Sequence, residues 1–354
     1  MDNKLLLFSA FIKRRRLLAI AVFLILLFLV NIIPIPYYSI SPGPHLNVAN
    51  LIKVPTNKNH KVSNKIFMVT VNITHLNLGL FLFTLLNRKA KIVSTKDLLG
   101  PSPPSNLQSQ GLEQMKSSKL DAKAAAFRYL GYHVPENGSG VSIVEVVPHS
   151  AAKLSNLQPG QTIVSYQGKK VGYAQQLISY IQSSHPNQVV NLGIKGHNNK
   201  LYSIKVRLGQ NPSHKNSAFL GVAVVTLNKQ FRFPFSIQIK TSNIGGPSAG
   251  LAFTLGIIDK LDPKKFPSHF IAAATGTITS TGQVGPIGGI EQKTFSIDSS
   301  KSSLFLVPNQ NYKTSHKYAR SNLKVVAIST LSQAVTTLNS SVAHSASPSA
   351  SRAR

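Results

Sequence analysis

From Leu17 to Val30 every position is apolar, and with Asn31 tolerated the run continues through Ile33 and Ile35 to the Tyr37-Tyr38 pair. Taken to Tyr37 this is about 21 residues, or roughly 31 Å as a helix at ~1.5 Å per residue, the length needed to cross a bilayer. The pattern predicts a transmembrane helix over 17–37, with Pro34 and Pro36 disturbing only its outer end and the tyrosines at the interface. Lys13, Arg14, Arg15 and Arg16 precede it. The positive-inside bias then makes 1–16 a basic cytoplasmic N-terminus and sends everything after about Tyr38 to the outer face of the cell membrane. A cleaved signal peptide is the competing reading, but the run is long for a signal core and no small-x-small site follows it.

Downstream the apolar positions change period. Ser41 to Val93 alternates proline and asparagine turns with strand-like runs such as Ile66 to Ile73, which predicts a β-rich, membrane-proximal region. Gln108 to Leu130 has helical spacing at Leu112, Met115, Leu120, Ala124 and Phe127, closing a segment bounded at 38–124. Strands are predicted at Phe219 to Thr226 and Phe235 to Lys240, then a helix from Ser248 to about Leu261. Leu304 to Val307 and Val325 to Ile328 read as buried strands flanking a helix. The pattern is that of a multidomain α+β chain ending in a serine-, alanine- and proline-rich tail, 340–354, expected to be disordered.

Composition narrows the chemistry. The 354 residues are enough for two or three domains, and the absence of cysteine excludes disulfide frameworks, thiolate metal sites and cysteine nucleophiles. The 11 histidines show no zinc-ligand spacing, no phosphate-loop motif is present, and no cofactor is expected. The net charge of +29, from 39 basic and 10 acidic residues, is spread along the chain without a nucleic-acid reader motif, so no nucleic-acid partner is expected. Two readings of that charge stand side by side: attraction to anionic lipids and envelope polymers, and a compositional bias without a partner.

Two glycine-rich stretches carry the candidate chemistry. In Ile244-Gly245-Gly246-Pro247-Ser248-Ala249-Gly250 a serine follows Gly-Gly-Pro and precedes an apolar helical run. Pro247 suits a first helical turn, and free N–H groups there would face a developing oxyanion, while Gly246 lets the backbone approach a substrate. Ser248 is thus either a nucleophile or a helix cap. The second stretch, Val284-Gly285-Pro286-Ile287-Gly288-Gly289-Ile290-Glu291-Gln292-Lys293, ends in a lysine on another predicted helix. As a base Lys293 must be neutral, so its pKa must fall from about 10.4 towards about 7 to 8, a cost of roughly 4 kcal/mol. Ile287, Ile290 and Phe295 are candidates for the desolvating pocket; a solvated helix lysine is the alternative.

These residues carry a family resemblance. From about Ser217 to Leu338 the chain resembles the proteolytic domain of Lon-type proteases, through Gly-Pro-Ser-Ala-Gly at 246–250, the Thr-Gly-x-Ile run from Thr275, and Pro-Ile-Gly-Gly-Ile-x-x-Lys ending at Lys293. The resemblance implies a Ser248 nucleophile, a Lys293 general base and a Thr275 hydrogen-bond partner for the lysine, in a domain bounded at 217–338. Ile244-Gly245 and Thr277 replace the usual Lys-Asp and acidic residue, and Thr294 to Ile297 departs from an alanine-rich helix start. The first two departures resemble the membrane-tethered, PDZ-containing Lon-like proteases of Gram-positive bacteria. Residues 125–209 resemble a bacterial PDZ domain, through Tyr129-Leu130-Gly131-Tyr132, Gly140 to Pro148, Ser150-Ala151-Ala152 and Leu157 to Ile163, with Gln161 where aspartate is usual. That resemblance implies that the N–H groups of Leu130, Gly131 and Tyr132 receive a peptide carboxylate or an extended strand. The expected function is an ATP-independent serine endopeptidase acting on peptides or exposed segments of membrane and envelope proteins, with homo-oligomeric ring assembly implied by the Lon resemblance. A non-catalytic, peptide-binding envelope scaffold is the alternative. A trypsin-like enzyme is disfavoured, because its Gly-Asn-Ser-Gly-Gly motif is missing.

Overall fold

Pro34 and Pro36 decide where the sheet begins, because each removes a backbone donor and drives the residue before it out of the helical region. In the computed structural model, which describes residues 14–22, 28, 32–60, 62–99, 107–211, 216–298, 300 and 302–343, they open strand β1 (Pro34–Asn47). The membrane-spanning helix expected over 17–37 is therefore corrected. Tyr37 and Tyr38 lie in β1, Tyr38 is buried, and no helix among the described residues is long and apolar enough to cross a membrane. The single-pass placement rested on that helix and is withdrawn with it. Residues 14–22 are helical, while 1–13 and the stretches 23–27 and 29–31 of the apolar run lie outside the described residues.

The chain divides into two compact units, residues 1–132 with 235–354, and residues 133–234. The first continues with β2 (Lys65–Asn77), α1 (Leu78–Leu86), β3 (Lys91–Ser94) and α2 (Leu107–Tyr129). It resumes with α3 (Gly250–Leu261), β4 (Ile271–Ala274), β5 (Thr277–Ile278), β6 (Val284–Gly285) and α4 (Ile290–Ile297). It closes with β7 (Leu304–Pro308), α5 (Asn309–Tyr318), β8 (Lys324–Ile328) and α6 (Leu331–Ala343). One sheet in the order β8-β7-β4-β2-β1-β3 joins both halves. Its β8, β7, β4 and β2 neighbours are parallel, and β1 pairs antiparallel with β2 and β3. Every residue of β7 is buried, as expected of a parallel strand covered on both faces.

The segment 38–124, read in sequence as a separate β-rich region, thus supplies half of that sheet. The physical reason is β4: it finds its second partner only in Lys65–Met68 of β2, more than 200 residues earlier in the chain. Beyond Met68, β2 runs on to Asn77 with β1 alone, which leaves one edge of Val69–Ile73 without a strand partner among the described residues. Helix α3 packs between α2 and the sheet, buried from Gly250 to Asp259. The alanines of α2 at 122 and 124–126 permit the close approach, with Thr254 Oγ1 3.4 Å from the Ala122 carbonyl. Helix α6 reaches Ala343, so the tail expected from 340 begins no earlier than 344, outside the described residues.

The second unit is an antiparallel sheet in the order 201–207, 189–195, 162–166, 141–146, 222–226, with its own apolar core around Ile143, Ile163, Leu192 and Val206. The strand Val222–Thr226, expected to open the catalytic domain, pairs instead with Val141–Val146. Gln161, the atypical turn residue, is buried: its side chain accepts from the Gln158 N–H at 3.0 Å and donates to Tyr202 Oη at 3.0 Å. The amide thereby pins the turn at Gly160, whose φ of +87° favours glycine.

Candidate active site

Three elements of the first unit converge on Ser248. The serine lies in the turn before α3, whose N-cap is Ala249, so Ser248 does not cap the helix and Pro247 precedes its first turn. Gly246 has φ +88° with open space where a Cβ would stand, a backbone state that glycine adopts without cost. The Ser248 carbonyl is held from the β4–β5 side, accepting from the Gly276 N–H at 2.8 Å and from Thr275 Oγ1 at 3.1 Å. Neither the Ser248 nor the Ala249 N–H finds an acceptor among the described residues. Both are thus available to an anion developing beside Oγ.

Lys293 reaches the serine from α4. Gly289, the N-cap, has φ +66° and sits against Val71, where a Cβ would lie 3.2 Å from Cγ1. The loop before it is clamped by Asn311, which accepts from the Ile287 N–H at 2.9 Å and donates to the Ile287 carbonyl at 3.0 Å. Ile287 and Ile290 join Val69 and Phe305 in one apolar cluster. Phe295 is turned elsewhere, its ring 5.5 Å from Tyr318. Lys293 is 3% exposed. Its Nζ lies 2.5 Å from Ser248 Oγ and 3.4 Å from Thr275 Oγ1, and burial lowers its pKa to about 7.

The Thr275 hydroxyl donates to the Ser248 carbonyl, which turns its lone pairs towards Nζ. A neutral Lys293 then gives one N–H to Thr275 and points its lone pair at the Ser248 hydroxyl. The arrangement can accept a proton from Oγ without a histidine or a carboxylate.

The serine opens into a groove of about 880 Å³. One wall is the unpaired edge of β2 from Val69 to Ile73, the other the first turns of α2 with Gln108, Gly111, Gln114 and Met115. Among the described residues that line it, Lys293 alone carries an ionisable group. Sequence reasoning missed the part of α2 in the site. Its available signal was Gly111, a glycine inside a helical pattern, which costs stability and calls for a packing reason.

The predicted PDZ carboxylate loop is placed differently. The N–H groups of Leu130, Gly131 and Tyr132 donate to the carbonyls of Ala126, Arg128 and Phe127 at 3.0, 3.0 and 2.9 Å. Gly131, at φ +86°, terminates α2 in this way, and the three donors are taken up by the helix end. No cluster of three or more metal-ligating side chains occurs among the described residues.

The family model of the Lon protease (S16) C-terminal proteolytic domain matches residues 241–340, and that of the PDZ domain matches residues 128–208. The Lon protease of Mycoplasma mobile is 32% identical over 107 residues, 27% of this chain and 13% of that protein. Lon protease homolog 2, peroxisomal, of Pichia angusta is 42% identical over 69 residues, 19% of this chain and 7% of that protein. The chain therefore spans a small fraction of the length of the curated relatives it matches. The solved PDZ domain of the SdrC-like protein from Listeria innocua is 23% identical, with a TM-score of 0.22, covering 24% of this chain and 92% of that one.

Proposed function

We propose that this chain, which carries the proteolytic domain of the Lon peptidases and a PDZ domain, is an ATP-independent serine endopeptidase working through a Ser248-Lys293 dyad. The carrying observation is the 2.5 Å approach of a buried Lys293 Nζ to Ser248 Oγ. With its pKa lowered to about 7 by burial, the lysine is neutral often enough at physiological pH to act as a base. Ser248 attacks the scissile carbonyl as Lys293 takes its proton, and the oxyanion draws on the N–H groups of Ser248 and Ala249. Lys293 then protonates the departing amine. Water, deprotonated by the same lysine, releases the acyl group from Oγ and restores the dyad.

The groove suits a peptide in extended form, since one wall is a strand edge whose backbone groups have no strand partner among the described residues. The chain has no phosphate-loop motif to couple cleavage to nucleotide hydrolysis, which favours substrates that are already unfolded or locally flexible. The test is cleavage of an unfolded, flexible protein by the purified chain without nucleotide, beside Ser248→Ala and Lys293→Ala proteins. Cleavage by the wild type alone is expected. A strict ATP requirement, or full activity in either variant, overturns the reading.

A further inference from the structure

The nucleophile turn is gripped from two sides, and only one belongs to the catalytic motifs. On the motif side, Thr275 and Gly276 hold the Ser248 carbonyl. On the opposite side the grip comes from α2. The Gly246 N–H donates to the Gly111 carbonyl at 2.7 Å, and the Ser118 hydroxyl donates to the Pro247 carbonyl at 3.0 Å. Ser118 is buried at 4% exposure, so its hydroxyl has this work in place of solvation.

We propose that α2 sets the aim of the nucleophile, with Gly111 and Ser118 as positioning residues for the Gly246–Ser248 turn; this rests on the dyad reading above. Gly246, with positive φ and open space where a Cβ would stand, leaves this end of the turn a permissive backbone. Holding Gly246 and Pro247 against α2, while Thr275 and Gly276 hold Ser248, leaves one orientation for Oγ and keeps the Ser248 and Ala249 N–H groups bare. The contact is backbone on backbone. A Cβ built on Gly245 would lie 3.0 Å from the Gly111 carbonyl carbon, and one on Gly111 would lie 3.5 Å from Gly245 Cα. Alanine therefore fits at 111, and a branched side chain does not. Gly111 is not required by its backbone angles, since its φ is not positive.

Three proteins test the proposal with a flexible peptide substrate: wild type, Ser118→Ala and Gly111→Val. Misplacing a nucleophile by about 1 Å can cost roughly a hundredfold in rate. Ser118→Ala is expected to lower kcat about tenfold or more with KM and the thermal midpoint little changed, because alanine is the better helix former. Gly111→Val should lose kcat without a matching loss of stability. Wild-type kcat in both Ser118→Ala and Gly111→Val overturns the positioning role while leaving the dyad intact. A fall in kcat that only tracks a fall in thermal midpoint overturns it as well. Failure of the wild type to cleave is a failure of the dyad reading, and is recognised separately.

Discussion

At the scale of single residues, the proposed dyad rests on keeping one lysine uncharged. Burial brings Lys293 from the ordinary lysine value to about 7. Peptide cleavage should therefore rise as pH climbs through about 7 and level off above it, because only the neutral amine accepts the Ser248 proton; a rate that falls across that range would exclude Lys293 as the base. The same shift bears on stability. The folded state releases its proton before the unfolded state does, so the penalty of burial is greatest below about pH 7 and is relieved as pH rises towards the ordinary lysine range. Lys293→Met should abolish cleavage yet raise the unfolding free energy, by up to about 5 kcal/mol at or below pH 7 and by little near pH 11. Urea unfolding at the two pH values checks this, and an equal gain at both would show that the benefit comes from packing. Thr275→Val should reduce kcat about tenfold while Ser248 keeps the Gly276 donor to its carbonyl and the fold survives. Rate and melting temperature measured together decide it. Ser248, Thr275 and Lys293 were legible in sequence because each stands in a short motif whose glycines shape the turn around it. The burial of Lys293 was not, since Val69 and Phe305, which pack with Ile290 of its helix in one apolar cluster, come from strands far away in the chain.

At the scale of elements, the site is a meeting of helix starts, and close backbone approach is what brings them together. Gly250 opens α3 where a Cβ would meet Ile278 Cγ2 at 2.9 Å, Ser118 Oγ at 3.0 Å and the Ile278 N at 3.1 Å. Two of these neighbours sit on different elements and one is backbone, so none can move aside alone. Gly250→Ala should cost about 1 to 3 kcal/mol of stability through overpacking. Thermal unfolding reads the effect, and an unchanged midpoint would mean that α2 and β5 can separate freely from α3. The helical period of α2 and the strand character of β2 were readable from their apolar spacing. What that spacing could not convey was their destination. A strand's pattern fixes which face is buried and leaves open which strand lies beside it, so the pairing of Lys65–Met68 with Ile271–Ala274 had no local signature. The tyrosines at 37 and 38 show the converse error. An apolar run of membrane-spanning length outweighed two prolines that in fact begin a strand.

At the scale of the whole molecule, the reading of domains in linear order gives way to an insertion. The unit of residues 133–234 interrupts the other between α2 and α3, and each unit has a hydrophobic core of its own. The two chain ends left by the interruption are close together. The rings of Tyr132 and Phe235 are 6.0 Å apart, and each packs edge-on against Phe127 of α2, at 5.5 and 4.9 Å. A short flexible linker can therefore replace residues 133–234, and closing so short a loop adds little entropic cost to folding. The excised protein should fold with the sheet and dyad intact and should cleave short flexible peptides with kcat near that of the full chain, because no residue assigned to the dyad or the groove lies between 133 and 234. Circular dichroism with thermal unfolding reports the fold, and peptide cleavage reports the dyad. A protein that fails to fold would show that the inserted unit completes the first. A protein that folds but does not cleave would show that the inserted unit is needed for α2 to hold Gly246 and Pro247 in place.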